Sequence, residues 1–507
     1  MLKTLNAAIC IAFAVATNPL LAEPKTDVTI ASPWEIASYD PTVSGSIVQS
    51  LQIMETLVDA DAKGVLRPAL ATDWTVSEDG LTWTFTLREG VTFHDGSAFD
   101  AVAAVNALTR AWEQPGILQK APITGISEQN GKVVITVATP FTALPSILTH
   151  STTIIPAPAA FDADGNPIAL IGTGPFSVTD FTPPQSVSMA RFDGYWGDAP
   201  KLESATYLAA SRAETRALLA ESGDADLVFT LDASGYSHLQ HVDTIETQAV
   251  PIPRAVLLKV NSEHPFFADA RARQALSLAT PRAGIAKAIT RFPESAAGQL
   301  FPPALSNWHS ADLAPLETDL DAAKALLAEL GWMPGEDGVL TRDGERFSIT
   351  LRTFPDRPEL PLIATALQDT WREIGIELEV SVASYSEIPK GHQDGSLHVA
   401  LFARNYGLTP DPIGTVMQDF ANGGGDWGAM RWDNPEVTGA IQTIASTADP
   451  EIRAESIAEV AGILHQELPV IPVLWYQHTV SIDKGLDGVI IDPLQRSYGL
   501  SEMYWVE

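Results

Sequence analysis

Apolar and polar residues alternate over 83–88, with Trp83, Phe85 and Leu87 on one side and Thr84, Thr86 and Arg88 on the other. A period of two is that of a strand with one buried face. Asp79-Gly80 before it and Glu89-Gly90 after it are turn chemistry, because glycine accepts a positive φ at little cost. Val91-Thr92-Phe93 then meets Asp95-Gly96, so the pattern predicts a hairpin-like meander. Val133, Ile135 and Val137 predict another strand, and 101–112 a helix with Asp100 as its N-cap. Upstream, a short strand is expected over 26–30. Ile47, Leu51, Met54 and Leu57 recur at helical spacing and predict an amphipathic helix over 45–58 with a core-facing stripe.

The second half is patterned differently. A strand is expected over 256–260, a helix over 265–280 stopped by Pro281, and a further apolar stripe through Leu320, Ala323, Leu327 and Leu330, ended by Gly331. Phe347, Ile349 and Leu351 alternate. Leu362, Ile363, Ala366, Leu367, Thr370, Trp371 and Ile374 then line one helical face, and Ile376, Leu378, Val380 and Val382 alternate again. That order is a βαβ crossover, which demands a parallel pair with a helix across its face. Strands over 397–402 and 470–476 and a helix over 450–468 complete an α/β lobe.

At 507 residues the chain exceeds what one core usually serves, so two or three units are expected. Its 63 Asp and Glu against 31 Lys and Arg give a net charge of −32. Such a surface repels phosphate backbones and anionic headgroups, which disfavours nucleic acid and membrane surfaces as partners. Residues 1–22 carry Lys3, an apolar run and small residues ending at Ala22, the order of a secretory signal peptide. The sole cysteine, Cys10, falls inside it. A mature chain from about Glu23 would therefore have no disulfide and no thiolate metal site.

No GxSxG, HExxH or Cys/His cluster is present, and the glycines of 172–176 (GTGPF) do not continue into a phosphate loop. His238 and His241 share a helical spacing that by itself does not make a zinc site. The one stretch with ligand-loop character is 404–417 (RNYGLTPDPIGTVM), a strand end running through Gly and Pro into a helix, with 423–427 (GGGDW) behind it. In α/β lobes such a strand end is where ligands sit, though a plain strand-to-helix turn has the same composition.

The run 77–100 (SEDGLTWTFTLREGVTFHDGSAFD) closely resembles the signature segment of the family 5 periplasmic solute-binding proteins of ABC importers, whose members carry peptides or chelated nickel. GTGPF and 191–201 (RFDGYWGDAPK) resemble further landmarks of that family. The resemblance implies an α/β, two-lobed periplasmic binding protein-like fold (type II) with an additional small β-rich domain inserted in the first lobe. It divides the chain into a signal peptide (1–22), first lobe (23–58), satellite (59–169), first lobe (170–255), second lobe (256–479) and first lobe (480–507), with hinge crossings near 256–261 and 470–482. It implies an exported, soluble, periplasmic monomer that is not an enzyme, needs no cofactor, holds a small ligand between its lobes and delivers it to an inner-membrane permease. Cleft residues are expected at Arg404, Tyr406, Thr409, Asp411, Trp427 and Arg431, aromatics for stacking and arginines for a carboxylate. The sequence departs from both branches. Thr409 stands where peptide binders place an aspartate, and Ser151, beside His150, stands where the nickel branch places a chelator-gripping arginine, so peptide and nickel chelate both stay open and a metal site is unassigned. The rival reading is a secreted hydrolase acting on peptides through scattered Asp and His residues.

Overall fold

The computed structural model describes residues 25–114, 116–355 and 357–506. The expected signal peptide, Cys10 and the start of the mature chain lie outside them. One ten-stranded sheet runs through the molecule, ordered Glu377–Val382, Ser348–Thr353, Val399–Asn405, Ile245–Val260, Val470–Asp483, Leu227–Phe229, Asp27–Ser32, Ser204–Ala209, Ser186–Arg191 and Phe176–Thr182. The βαβ unit is as expected: Ser348–Thr353 and Glu377–Val382 are parallel, in register from Ser348 opposite Glu377 to Thr353 opposite Val382, and helix Glu359–Glu373 joins them. That helix buries Leu360, Ile363, Ala364, Leu367 and Trp371, whereas Leu362, placed on the apolar stripe from sequence, points outward.

Two long antiparallel strands, Ile245–Val260 and Val470–Asp483, belong to both halves of the sheet. Residues 480–482 pair with Leu227–Phe229 on one side, and 254–260 pair with Val399–Asn405 on the other. Their ladder loses register between Pro251 and Ala255. Pro251 and Pro253 have no N–H to donate, so the strand cannot continue regularly there. The break lies a few residues ahead of the crossing expected at 256–261, and opposite Trp475 and Gln477.

The satellite holds a four-stranded antiparallel sheet, Ala71–Val76, Thr82–Leu87, Lys132–Val137 and Ile123–Gln129, with helix Ala101–Glu113 against it. Asp100 caps that helix, its carboxylate accepting the Ala103 amide at 2.8 Å. The expected meander is met in part at 91–93: these residues fold back over Asp95-Gly96, the Phe93 amide on the Ser97 carbonyl at 2.8 Å and the Phe99 amide on that of Val91 at 3.0 Å, but they add no strand to the sheet. Both edges of Thr82–Leu87 are already paired, and Thr92 bridges only to Ala98. The helix expected over 45–58 is also shorter, Pro41–Ser50, because Gln52 turns to φ 56°. Leu51, Met54 and Leu57 are buried as expected, from a turn instead of a helix. The helix expected from 265 starts at Ala270, where Asp269 caps it. Buried apolar side chains form a large cluster and a small separate one (around Val228, Leu231 and Leu239) in the first lobe, and a third that is continuous from the satellite into the second lobe.

Candidate functional site

A cavity of about 300 Å³ opens where the two long strands pass between the halves of the sheet. Its walls come from the loop and helix of 32–50, the turn at 150–151, Arg254, the loop 405–408, His478 and the segment 491–498. Each polar wall residue is held by its local backbone. Arg254 sits in the register break, opposite Asn405, and donates from Nη2 to Gln495 Oε1 at 3.0 Å. It forms no ion pair among the described residues, and burial, with Arg357 adding, lowers it to about 10. Asn405 Oδ1 accepts the Gly407 amide at 2.8 Å, and a Cβ at Gly407 would stand 2.2 Å from Pro253, so glycine lets this loop close over the strand.

His478 lies in the second long strand, stacked on Phe229 at 5.2 Å with its Nδ1 unpartnered. Burial, with Arg254 adding, pushes it down to about 3, so it is neutral. His150 heads the short turn 151–153, and burial, with Lys120 adding, takes it to about 4. Trp34 is 43% exposed at the cavity wall while its carbonyl accepts the Tyr207 hydroxyl at 2.6 Å. Arg496 is occupied by Asp59 and the Ala60 carbonyl, and Asp492 by the amides of Leu494 and Arg496. Arg254 therefore supplies the cavity's uncommitted charge.

None of the six residues expected in the cleft lines this cavity. Arg404 gives both prongs of its guanidinium to Asp419, at 2.6 and 2.7 Å. Tyr406 is fully buried edge-on to Phe301 at 5.4 Å, and burial raises its hydroxyl. Thr409 is buried and donates to the Asp411 carbonyl at 2.6 Å. Asp411 pairs with Arg453, caps the following helix through Ile413, and lines a second cavity of about 210 Å³ beside the first. Trp427 packs among Phe354, Tyr385 and Phe402. Arg431 pairs with Glu263 at 2.7 Å on the surface. Their immediate neighbours Asn405, Gly407 and Leu408 do line the first cavity. Strand alternation explains the offset at the strand end, where Arg404 turns into the lobe and Asn405 to the cavity; beyond it the loop, no longer a strand, brings Gly407 and Leu408 to the wall. Arg254, His478 and Trp34 were missed. For Arg254 the available signal was a lone cation at the head of an apolar run, between Pro253 and Ala255.

Among the described residues no group of three or more His, Cys, Asp or Glu side chains is placed to hold a metal. His238 contacts Glu221 and His241 the Ser237 carbonyl, separately.

The model of the bacterial extracellular solute-binding proteins, family 5, matches residues 65–427. The glutathione-binding protein GsiB of Salmonella paratyphi A is 26% identical over 511 residues, 96% of each chain. The nickel-binding periplasmic protein of Escherichia coli is 26% identical over 514 residues, 97% of each. NikA from Brucella suis, solved with Fe(III)-EDTA, superposes with a TM-score of 0.86 at 22% identity, over 95% of this chain and all of that one, and shares the fold.

Proposed function

The chain belongs to the bacterial extracellular solute-binding proteins, family 5, and we propose that it captures a small carboxylate-bearing solute in the cavity at the crossing strands and presents it to an ABC permease. The solute is of the class spanned by peptides and metal chelates, and it is released unchanged; the protein is a periplasmic monomer and not an enzyme. The division at 58, 169, 255 and 479 into two lobes and a satellite belongs to the same proposal. The observation that carries it is Arg254. This is a partly buried guanidinium without a carboxylate partner, facing a cavity of ligand size, at the junction through which both lobes are connected. A desolvated arginine is costly unless an anion completes it, and a carboxylate matches its fork.

The glutathione-binding relative supports this class, since glutathione is a tripeptide that carries carboxylates, and the nickel-binding relative keeps a metal-bearing guest within it. The absence among described residues of any helix able to cross a membrane is compatible with delivery to a separate permease. Native mass spectrometry and calorimetry test the reading. Expected is one equivalent of a peptide or anionic chelate, recovered chemically intact, and an Arg254→Ala variant that binds about 10- to 100-fold more weakly. Hydrolysis of the bound peptide, or full affinity in Arg254→Ala, would overturn it.

A further inference from the structure

The wall at 150–151 narrows the solute class, resting on the capture reading above. His150 Nδ1 lies 3.1 Å from the Thr152 backbone N and 2.9 Å from Thr152 Oγ1. A backbone amide can only donate, so Nδ1 carries the ring's lone pair and the proton of the neutral imidazole sits on Nε2. Among the described residues nothing takes up that Nε2–H, and His150 lines the cavity together with Ser151. The turn is fixed from behind. Gln49 Nε2 donates to the Thr149 carbonyl at 2.9 Å, and a Cβ at Gly45 would stand 2.7 Å from the Ser151 carbonyl, so helix Pro41–Ser50 packs directly on it.

This wall thus offers neutral donors where the resemblance led one to expect a guanidinium, and the cavity's cation stands at Arg254 instead. We infer that His150 is a specificity-determining donor, its Nε2–H received by an uncharged amide carbonyl of the solute while Arg254 takes the solute's carboxylate. A second carboxylate at this wall would find no free guanidinium to pair with: Lys120, whose charge reaches His150, is held by Gln418, and Arg496 by Asp59. In this tautomer the lone pair is committed to the Thr152 amide, so ligating a metal through Nε2 would require moving the proton to Nδ1 and giving up that amide bond. The solute is therefore peptide-like, and the amide-free chelate is the weaker guest.

Two variants separate the ring's two jobs. Gln places an N–H near the Nε2 position, whereas Asn can replace only the Nδ1 acceptor. With trialanine as probe, His150→Gln is expected to bind within about threefold of the unaltered protein, and His150→Asn about five- to tenfold more weakly, both with unchanged melting temperature. Nitrogen NMR of the labelled ring should show the proton on Nε2, shifted on adding trialanine. Nickel(II)–histidine should leave the ring's Nδ1 signal unbroadened. The inference falls if His150→Asn binds trialanine as tightly as the unaltered protein, if the proton is on Nδ1, or if nickel coordinates the ring. Failure of trialanine and of nickel(II)–histidine alike to bind the unaltered protein would instead strike the capture reading, and this one with it.

Discussion

Asp419 has no exposed surface and accepts both prongs of Arg404, while Lys259, equally enclosed, donates to the carbonyls of Gly425 and Asp426. Burial pushes the Lys259 ammonium down to about 7, and Asp419 is the charge that most opposes this. One carboxylate thus makes two buried cations tolerable and anchors the loop behind the 404–417 stretch. Replacing Asp419 with Asn would leave both cations facing a neutral amide at low dielectric. Breaking a buried pair from one side costs about 3–5 kcal/mol, so Asp419→Asn should lower the urea midpoint accordingly, and an unchanged midpoint would contradict the network. The same pair shows what a residue reading can and cannot deliver. Arg404 was legible as a cation at a strand end. That Asp419, fifteen positions on, would consume it depends on a fold of the intervening loop that no local pattern encodes. Arg254 carries the opposite lesson: its charge at a strand head was visible, but its solvation depends on strands separated from it by more than two hundred residues.

The GTGPF run, which resembles a family landmark and does not continue into a phosphate loop, has its glycines for a packing reason. A Cβ on Gly174 would stand 2.0 Å from the Gln52 carbonyl, and on Gly172 2.2 Å from that of Ile53. The turn therefore lies flat on the backbone that ends helix Pro41–Ser50. Gly174→Ala should cost about 1–3 kcal/mol through forced backbone shifts, read as a lower denaturation midpoint. Between the two glycines, Thr173 donates to Glu55 at 2.7 Å, and Trp196 and Tyr195 from the neighbouring landmark loop donate at 2.9 and 3.3 Å. Burial outweighs these donors and raises Glu55 to about 7 from an ordinary 4.5. The folded protein then holds this proton more tightly than the unfolded chain does. Stability from this group is full below about pH 4.5, is lost as pH climbs towards 7, and is level above that. Melting temperatures measured across that window should fall with rising pH, and Glu55→Gln should remove that part of the slope. A slope unchanged in the variant would place the titration elsewhere. Element types were largely legible because their periods are local. Helix ends were less so, since Gln52 and Asp269 end and start helices through a positive φ and a cap that a run of apolar residues masks.

At the scale of the whole molecule, the division into halves that share two strands was foreseen through family resemblance, and the contacts across the cleft were not. Lys120 of the satellite donates to Gln418 at 2.6 Å, the Thr142 amide to the Ala445 carbonyl at 2.8 Å, and the Asp411 amide to Ser146 at 2.9 Å. These bonds reinforce the apolar core that the satellite shares with the second lobe, and opening at Pro251–Ala255 would have to break them together with those core contacts. A solute bridging the walls then favours the arrangement in which they are made, because it contacts both sides only there. X-ray scattering should accordingly show a smaller radius of gyration on saturation with ligand. Lys120→Ala, whose side chain does not line the cavity although its charge reaches His150, should weaken binding by about two- to tenfold, the factor by which losing one such bond shifts the open–closed equilibrium. Its ligand-saturated scattering should nonetheless match that of the unaltered protein. If the radius is the same with and without solute in both proteins, the lobes do not close on their guest, and the cavity is a fixed pocket whose affinity Lys120→Ala should leave untouched.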